Sequence, residues 1–493
     1  MTTRDFSLTD CTEDQQASSA DAAPARVTAE LIERLRAVVG EGGILTGEDV
    51  SSRHPGVFMS CIEADVIVRP AGVEQVSQIL ALCNAARQPV VVQGGMSGWV
   101  RATQTRPGDV VLSLERMSKI ESVDLDNRTA TVQAGVILEN FQDHLEAFGL
   151  SFALDLGGRG SCQLGGNAAT NAGGVRVIRY GMMREQVLGL EVVLADGRIV
   201  SSLNRMIKNN TGYDLKQLFL GSEGTLGVIT RLVLRLRETP SSSNTAMVCA
   251  NTFEQISKLL RHMDGALGGQ LSAFELLDNN FYRVNTGPGR HTPPLPSDKP
   301  FYAIIESLGA NQSRDTELFE QALERALEQG LVDDAVMARS EREKQSIWDI
   351  REDLEHIVKD FRPFSAFDIS LPVGDMAEYM QRVTQRLHAQ WPQGSIAFLG
   401  HVGDGNLHIG IGAGTPEDHE AVEACVYESL ADFGGSVSAE HGIGLEKKKW
   451  FPISRTPVER GLMQDIKRLL DPNGILNPGK LFDADLANSK ARG

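Results

Sequence analysis

Three of the ten histidines of this chain stand close together in its last hundred residues. His401 and His408 close the ends of His401-Val402-Gly403-Asp404-Gly405-Asn406-Leu407-His408, and His441 follows directly on Glu440. Two neutral imidazoles and a carboxylate form a common ligand set for Zn2+ or a similar divalent cation. A further histidine beside such an ion is placed to act as a base. A lone histidine is more often a satisfied packing residue than a ligand. Two of them beside an amide and a Glu-His pair make a site worth weighing against the rest of the chain. The alternation after the loop predicts a strand with His408, Gly410 and Gly412 on one face and Leu407, Ile409 and Ile411 on the other. The second face is core. The first sets His408 above a glycine floor with room for something bulky.

Two glycine-rich stretches lie far upstream. Gln93-Gly94-Gly95-Met96-Ser97-Gly98 directly follows the apolar run Val90–Val92. Glycines there free backbone N–H groups to approach a pyrophosphate, and Ser97 adds a donor. The second stretch runs from Leu156 to Gly174 and includes Gly160, Ser161, Gly165, Gly166, Asn167, Thr170, Gly173 and Gly174. Such a segment can wrap a flat, polar-edged ring system with backbone groups. As a bare pattern each stretch is weak evidence, since ordinary turns are also glycine-rich. No Gly-x-Gly-x-x-Gly follows a strand in a β-α-β context, so a Rossmann NAD site is not indicated. Gly474 to Lys480 has P-loop spacing, but Leu481 replaces the required hydroxyl residue and the segment follows a helix, so it is rejected.

The elements that must position these groups need more than one core, because 493 residues exceed what a single one supports. Apolar stripes predict a first helix over Val27–Val39, a strand near Asp65–Pro70, a helix over Val73–Arg87 and the strand Val90–Val92, a β-α-β unit. Further strands are expected at Val110–Leu114, Thr129–Ala134 and Ile229–Leu236, a helix near Leu138–Phe148, and a hairpin from Val187–Leu194 through Asp196-Gly197 to Arg198–Ser201. The texture changes near Pro240. Beyond it, helices are predicted over Arg314–Gln329, Ser340–Asp360, Met376–His388 and Pro457–Leu470, with strands at Ser365–Leu371, Ser395–Leu399 and Leu407–Ile411. This part reads as α+β, an antiparallel sheet covered by helices.

A formal net charge of −17 argues against a nucleic-acid partner and against strong attachment to an anionic membrane. No apolar run is long enough to span a membrane. The six cysteines, widely and irregularly spaced, read as reduced thiols with no iron–sulfur cluster. The polar N-terminus up to Pro24 has neither a secretory h-region nor a typical mitochondrial leader and is expected to be disordered. The expected location is the cytoplasm, with a peripheral position at a membrane allowed.

Longer motifs then carry a family likeness. The run from Asp155 to Gly174, Arg179-Tyr180-Gly181, the stretch Gly189–Gly197, Asn209–Lys216 and Gly221-Ser222-Glu223-Gly224-Thr225-Leu226-Gly227-Val228-Ile229 resemble the vanillyl-alcohol-oxidase-type FAD proteins. Within them the chain is most similar to the FAD-linked D-2-hydroxy-acid dehydrogenases: those of D-2-hydroxyglutarate and D-lactate and the flavin subunit of glycolate oxidase. The likeness runs from about Arg53 to Phe482. It implies a two-part FAD-binding domain with an α+β cap over an antiparallel sheet. The corresponding expectation is a disordered start at 1–26, the first FAD-binding part at 27–240, a substrate- and metal-binding cap at 241–440, and a second FAD-binding part at 441–493.

Carried over residue by residue, the likeness implies that Gly94, Gly95, Met96, Ser97 and Gly98 hold the pyrophosphate. Gly160 to Gly174 and Glu223, Gly224, Gly227, Val228 and Ile229 would line the flavin, and Asn477 would close the site from the tail. Relatives carry Asn-Thr where this loop has Met96 and Ser97. With no histidine in the loop, FAD is expected to be non-covalent. The likeness further implies a divalent metal on His401, His408 and Glu440, with Zn2+ first and Mn2+, Co2+ or Fe2+ as options. Asn406 would contact substrate, His441 would be the base, and Arg351 would clamp the C1 carboxylate. On its own, Arg351 borders the buried stripe of its helix and could equally be a snorkelling edge residue. Two departures bear on the substrate tail. Ala366, just before Phe367-Asp368-Ile369-Ser370-Leu371-Pro372, stands where the 2-hydroxyglutarate enzymes carry a lysine, and Glu355 stands where a small hydroxyl residue is expected.

The expected activity is therefore FAD- and metal-dependent oxidation of a small anionic D-2-hydroxy acid to the 2-oxo acid. D-2-hydroxyglutarate comes first, and D-lactate, glycolate or another acid with a smaller or apolar tail is the alternative. The electrons would pass to an external acceptor such as an electron-transfer flavoprotein or a quinone, and a homodimer is allowed. The rivals from other classes are a metal-dependent hydrolase, a non-catalytic flavin-binding subunit and a metal-free flavin oxidase.

Overall fold

A computed structural model describes residues 26–483. The expectation of disorder before Pro24 lies outside them. The helix Ala29–Val39 starts where the Thr28 hydroxyl accepts the Leu31 amide, and it buries Leu31, Leu35 and Val39. It packs on Val73–Ala86, whose stripe Val76, Ile79, Leu80 and Cys83 is buried. Both cover a four-stranded sheet in the order Ile44–Thr46, Val66–Val68, Val110–Ser113, Val90–Gln93. The predicted β-α-β unit is present with one difference. Val66–Val68 and Val90–Gln93 are not neighbours, because Val110–Ser113 lies between them and pairs parallel with both.

A second sheet has five antiparallel strands in the order Ile120–Asp124, Thr129–Gln133, Val228–Arg235, Val187–Val193, Ile199–Ser202. Its last pair is the predicted hairpin, turned at Gly197 with φ 87°. The largest sheet has seven antiparallel strands. Their order is Asp334–Met337, Ser242–Ala250, Phe301–Gly309, Leu271–Asp278, Ser395–His401, Asn406–Gly412, Phe364–Ser370. One face is covered by helices including Phe253–Leu267, Gln312–Glu328, Met376–Gln390 and His419–Leu430, which bury Leu407, Ile409 and Ile411 as the alternation predicts. The other face packs under Phe281, Ile347, Trp348, Ile350, Ile357 and Phe361. The protein is an α+β fold.

Two expectations on that second face need correction. The single helix over Ser340–Asp360 is two helices, Glu341–Glu352 and Glu355–Asp360. The break is held by polar groups that outcompete the helical ladder. Asp353 accepts from His291 at 2.8 Å and lies 2.9 Å from His356, while the Asn285 amide donates to the freed carbonyls of Ile350 and Asp353 at 2.8 Å each. The glycine floor is also closed. A Cβ on Gly410 would meet Ile357 and Phe364 at 3.3 Å, and one on Gly412 would meet the Phe361 backbone at 2.7 Å. The second helix, not a ligand, fills the space over these glycines.

The C-terminal helix Pro457–Leu470 begins with a capping box between Thr456 and Glu459 and leads the chain back to the first sheet. Leu476 bridges Val90 in parallel, the Val90 amide donates to Ile475 O at 2.8 Å, and the Asn477 amide donates to Val90 O at 2.8 Å. Buried Lys467 holds this return in place. Its ammonium pairs with Asp471 and donates to Thr225 O at 2.8 Å and Leu476 O at 2.9 Å. Lys467→Met would leave buried Asp471 without its cation, holding only the Ile475 and Leu476 amides, so we expect a loss of roughly 3–5 kcal/mol of stability in urea unfolding. A loss below about 1 kcal/mol would show that the tail is held by other contacts.

Candidate active site

Strand register brings the chemistry-bearing side chains together. In the antiparallel pairs, Asp368 lies opposite His408 and Glu275 lies opposite His401. Both acids are fully buried. Glu275 accepts from His401 Nδ1 at 2.6 Å through one oxygen and from Arg351 Nε at 2.9 Å through the other. Burial alone would raise the Glu275 carboxyl, but His401 and Arg351 outweigh it and hold it at about 2. For His401 the balance is reversed: burial opposes the charge, and the Glu275 anion lifts the imidazole to about 9. The Glu275 contact also fixes which ring nitrogen of His401 faces the site, namely Nε2.

Glu440 sits between the two imidazoles. Its oxygens lie 3.8 Å from His401 Nε2 and 3.8 Å from His408 Nε2. One donor atom from each of the three residues falls within 4.8 Å of the others. Ligands about 2.1 Å from a tetrahedral Zn2+ would be roughly 3.4 Å apart, so the trio fits a divalent ion after small shifts. A second trio, Asp368, His408 and His441, is similarly close. Asp368 is already saturated, however. It accepts from the Asn406 amide group and the Glu440 and His441 backbone amides, each at 2.9 Å, and has the Lys447 ammonium at 3.5 Å.

These contacts set the charges. Burial disfavours the Asp368 anion, but His441, Lys447 and His408 hold its carboxyl well below the usual range. Burial pushes His408 well down and His441 down, against the pull of Asp368 in both cases. Burial thus disfavours the charged form of both rings, which favours a ring nitrogen free to accept a ligand or a proton. His441 is stacked between two rings: Trp99 at 5.5 Å between centroids and 27° between planes, and His408 at 6.0 Å and 25°. Asn406 commits its NH2 to Asp368 and to Ile369 O at 2.9 Å, which leaves its buried Oδ1 without a partner. Asp404, the carboxylate inside the histidine loop, is exposed and accepts the Asn406 amide at 3.2 Å.

The glycine-rich stretches meet beside this cluster. A Cβ on Gly95 would fall 2.0 Å from Ser161 O, and one on Gly158 would lie 3.5 Å from Ser97. Gly94 faces Gln163 and Gly166, and Met96 takes φ 58°. Gly98 and Gly166 look onto open space, while Gly160 lies near Glu139. Around this cradle Gln163 Oε1 and Asn167 Oδ1 are buried without partners, and the Thr170 hydroxyl is spent on Gly166 O at 3.1 Å. Asn477 closes the cradle from the tail, accepting the Val92 amide at 2.9 Å and donating to Glu223 O at 2.6 Å. A backbone cradle rimmed by orphaned amide oxygens fits a bound nucleotide such as FAD.

Several residues grouped with the cradle do other work. Gly165 and Gly227 permit close packing on Ala134 and Val192, and Val228 and Ile229 are core residues of a strand. Gly174, at φ 126°, lies against Asp155 O. The Glu223 carboxylate accepts the Ile443 and Gly444 amides at 2.8 Å each, with Gly224 over Asn477. Gly173 lies against Glu440, since its Cβ would lie 2.6 Å from Glu440 Oε1. Glu275, Asp368, Lys447 and Trp99 are additional site residues that periodicity does not single out. The local signal for the two acids is a carboxylate set between apolar neighbours, Phe274-Glu275-Leu276 and Phe367-Asp368-Ile369.

Comparisons with known proteins agree with this architecture. Residues 64–202 match the FAD binding domain model, and residues 239–481 match the model for FAD linked oxidases, C-terminal domain. The chain is 39% identical to the mitochondrial D-2-hydroxyglutarate dehydrogenase of Danio rerio, over 92% of this chain and 85% of that one. It is 35% identical to the D-2-hydroxyglutarate dehydrogenase of Stutzerimonas stutzeri, over 92% of this chain and 99% of that one. A putative mitochondrial D-lactate dehydrogenase of Schizosaccharomyces pombe is 35% identical, over 92% and 90%. Among solved structures, p-cresol methylhydroxylase superposes with a TM-score of 0.73 at 17% identity, over 94% of this chain and 99% of that one, which shows a shared fold. With a glycine-rich cradle in the part that matches the FAD binding domain, a histidine-rich face in the other and these relatives along nearly its whole length, the chain belongs to the FAD-linked D-2-hydroxy-acid dehydrogenases of the vanillyl-alcohol-oxidase type.

Proposed function

We propose that the chain oxidises D-2-hydroxyglutarate, or a close D-2-hydroxy acid, to the 2-oxo acid with the help of a divalent cation. The observation that carries this reading is the His401, His408 and Glu440 trio with His441 stacked beside it. Bound FAD would take up the C2 hydride, and a bound dication such as Zn2+ would acidify and orient the substrate hydroxyl. The side chains of the trio would hold that ion. Arg351, steadied through Nε by Glu275, has both Nη groups without hydrogen-bond partners among the described residues and so can grip the C1 carboxylate in a fork. His441 would take the hydroxyl proton, and the Asp368 anion 3.8 Å from its Nδ1 would stabilise the resulting imidazolium. The unpartnered Oδ1 of Asn406 can accept a substrate O–H, and Trp99 stacks on one face of the base. The electrons would leave to an external acceptor, an electron-transfer flavoprotein or a quinone.

The tail of the substrate is set by other residues. The names of the relatives favour a glutarate tail. One observation favours a second reading, a smaller or apolar tail. Ala366 is exposed on the strand opposite Gly410, on the face that carries Asp368, with Phe364 next along that face and Ile357 packed over Gly410. A panel of D- and L-2-hydroxy acids, tested by anaerobic bleaching of the flavin with and without a chelator, separates these readings. D-2-hydroxyglutarate should bleach the flavin and the chelator should abolish the effect. Bleaching by D-lactate alone would establish the second reading, and no bleaching by any acid would sink both. Full activity after chelation and removal of the ion would exclude the metal.

A further inference from the structure

A second group of donor atoms lies apart from the three histidines above and has no part in the proposed reaction. His419 and Glu423 are one turn apart on the helix His419–Leu430, and both approach Glu446 from the segment after His441. One donor atom from each of the three lies within 4.8 Å of the others, and His419 Nε2 is 3.6 Å from Glu423 Oε1.

What distinguishes this group from a chance meeting of surface charges is how each member is held. His419 Nδ1 is 3.2 Å from the Ser365 hydroxyl, to which Nδ1–H can donate, leaving the Nε2 lone pair for the shared point. Trp450 Nε1 donates to Glu423 Oε2 at 3.0 Å, which leaves Oε1 for it. Arg101 Nε holds one oxygen of Glu446. Each side chain is thus fixed through one atom and presents another, the outer-shell arrangement that orients metal ligands.

We propose that His419, Glu423 and Glu446 form a second divalent-cation site. One imidazole and two carboxylates suit a transition-metal dication such as Zn2+ or Mn2+ better than Mg2+ or Ca2+, which prefer all-oxygen shells. With His419 half exposed, this site is the weaker and more exchangeable of the two. An ion here would fasten the helix His419–Leu430 to the segment that carries Glu440, His441 and Lys447. Through Arg101 it would also reach the loop that carries Trp99.

The test is a calorimetric titration of the full, chelator-stripped chain with Zn2+, reading stoichiometry. Wild type should take up two ions in a tighter and a weaker class. His419→Ala and Glu423→Gln should each remove the weaker class and keep the tighter one; Glu423→Gln retains an acceptor for Trp450, so one variant can decide if the other fails to fold. His408→Ala should do the reverse. Two ions in either first variant would overturn the site. A single ion in wild type that is lost with His408→Ala but kept with His419→Ala would also overturn it, while leaving the proposed reaction intact. The opposite loss would support this site and remove the metal from the proposed reaction.

Discussion

His441→Ala should lower the rate of anaerobic flavin reduction by roughly 10²–10⁴-fold while leaving the yellow, FAD-loaded protein intact. The expectation follows from what His441 touches and what it does not. Its ring lies between Trp99 and His408, and its Nδ1 faces Asp368. The cradle formed by Gly94–Gly98, Gly158–Gly166 and Asn477 makes no use of its side chain. Stopped-flow bleaching at saturating substrate checks the rate, and the flavin spectrum checks the loading. A variant that binds FAD and reduces it within about threefold of wild type would remove His441 from the role of base.

The second large effect is expected at Asp368. Asp368→Ala would take the acceptor from the amides of Glu440 and His441 and from Asn406, and would leave the Lys447 ammonium buried with only the Asp368 main-chain oxygen at 2.9 Å. Removing one partner of a buried ion pair costs roughly 3–5 kcal/mol. Because the lost bonds orient the segment carrying Glu440, metal affinity should also fall, by roughly 10–100-fold, as for other outer-shell partners. Asp368→Asn keeps one acceptor oxygen and should lie between. Chemical unfolding and metal calorimetry measure the two quantities separately. An alanine variant within about 1 kcal/mol of wild type and with unchanged metal affinity would show that Asp368 is a bystander.

Particular residues show why some of this was legible in the sequence and some was not. The core face of Asn406–Gly412 could be read from alternation alone, because Leu407, Ile409 and Ile411 each meet the same helical layer. The opposite face could not. Gly410 and Gly412 are spaced like a ligand floor, yet the helix Glu355–Asp360 covers them. That helix takes its separate course because Asp353, His291, His356 and Asn285 break the longer one, a contact among segments some 60 to 70 residues apart. Glu275 and Asp368 stayed hidden for a related reason. A lone acid in a strand reads as solvent-facing until its partner strands are known, and their order in the seven-stranded sheet is not sequential. The glycine segments were readable as a cradle, but which glycines face a ligand and which face Ala134, Val192 or Glu440 is decided by packing across the chain.

The return of the tail to the first sheet has a consequence for how the protein is made. The Val92 amide meets its acceptor Asn477 only 385 positions further on, and Val90 waits about as long for Leu476. During synthesis, which proceeds at roughly 5–20 residues per second, the edge Val90–Gln93 therefore stays uncovered while the whole seven-stranded sheet emerges. An unpaired strand edge of that kind invites association with other chains. The nascent chain thus keeps an open strand edge and an open glycine-rich cradle until Leu476 and Asn477 have emerged and folded back.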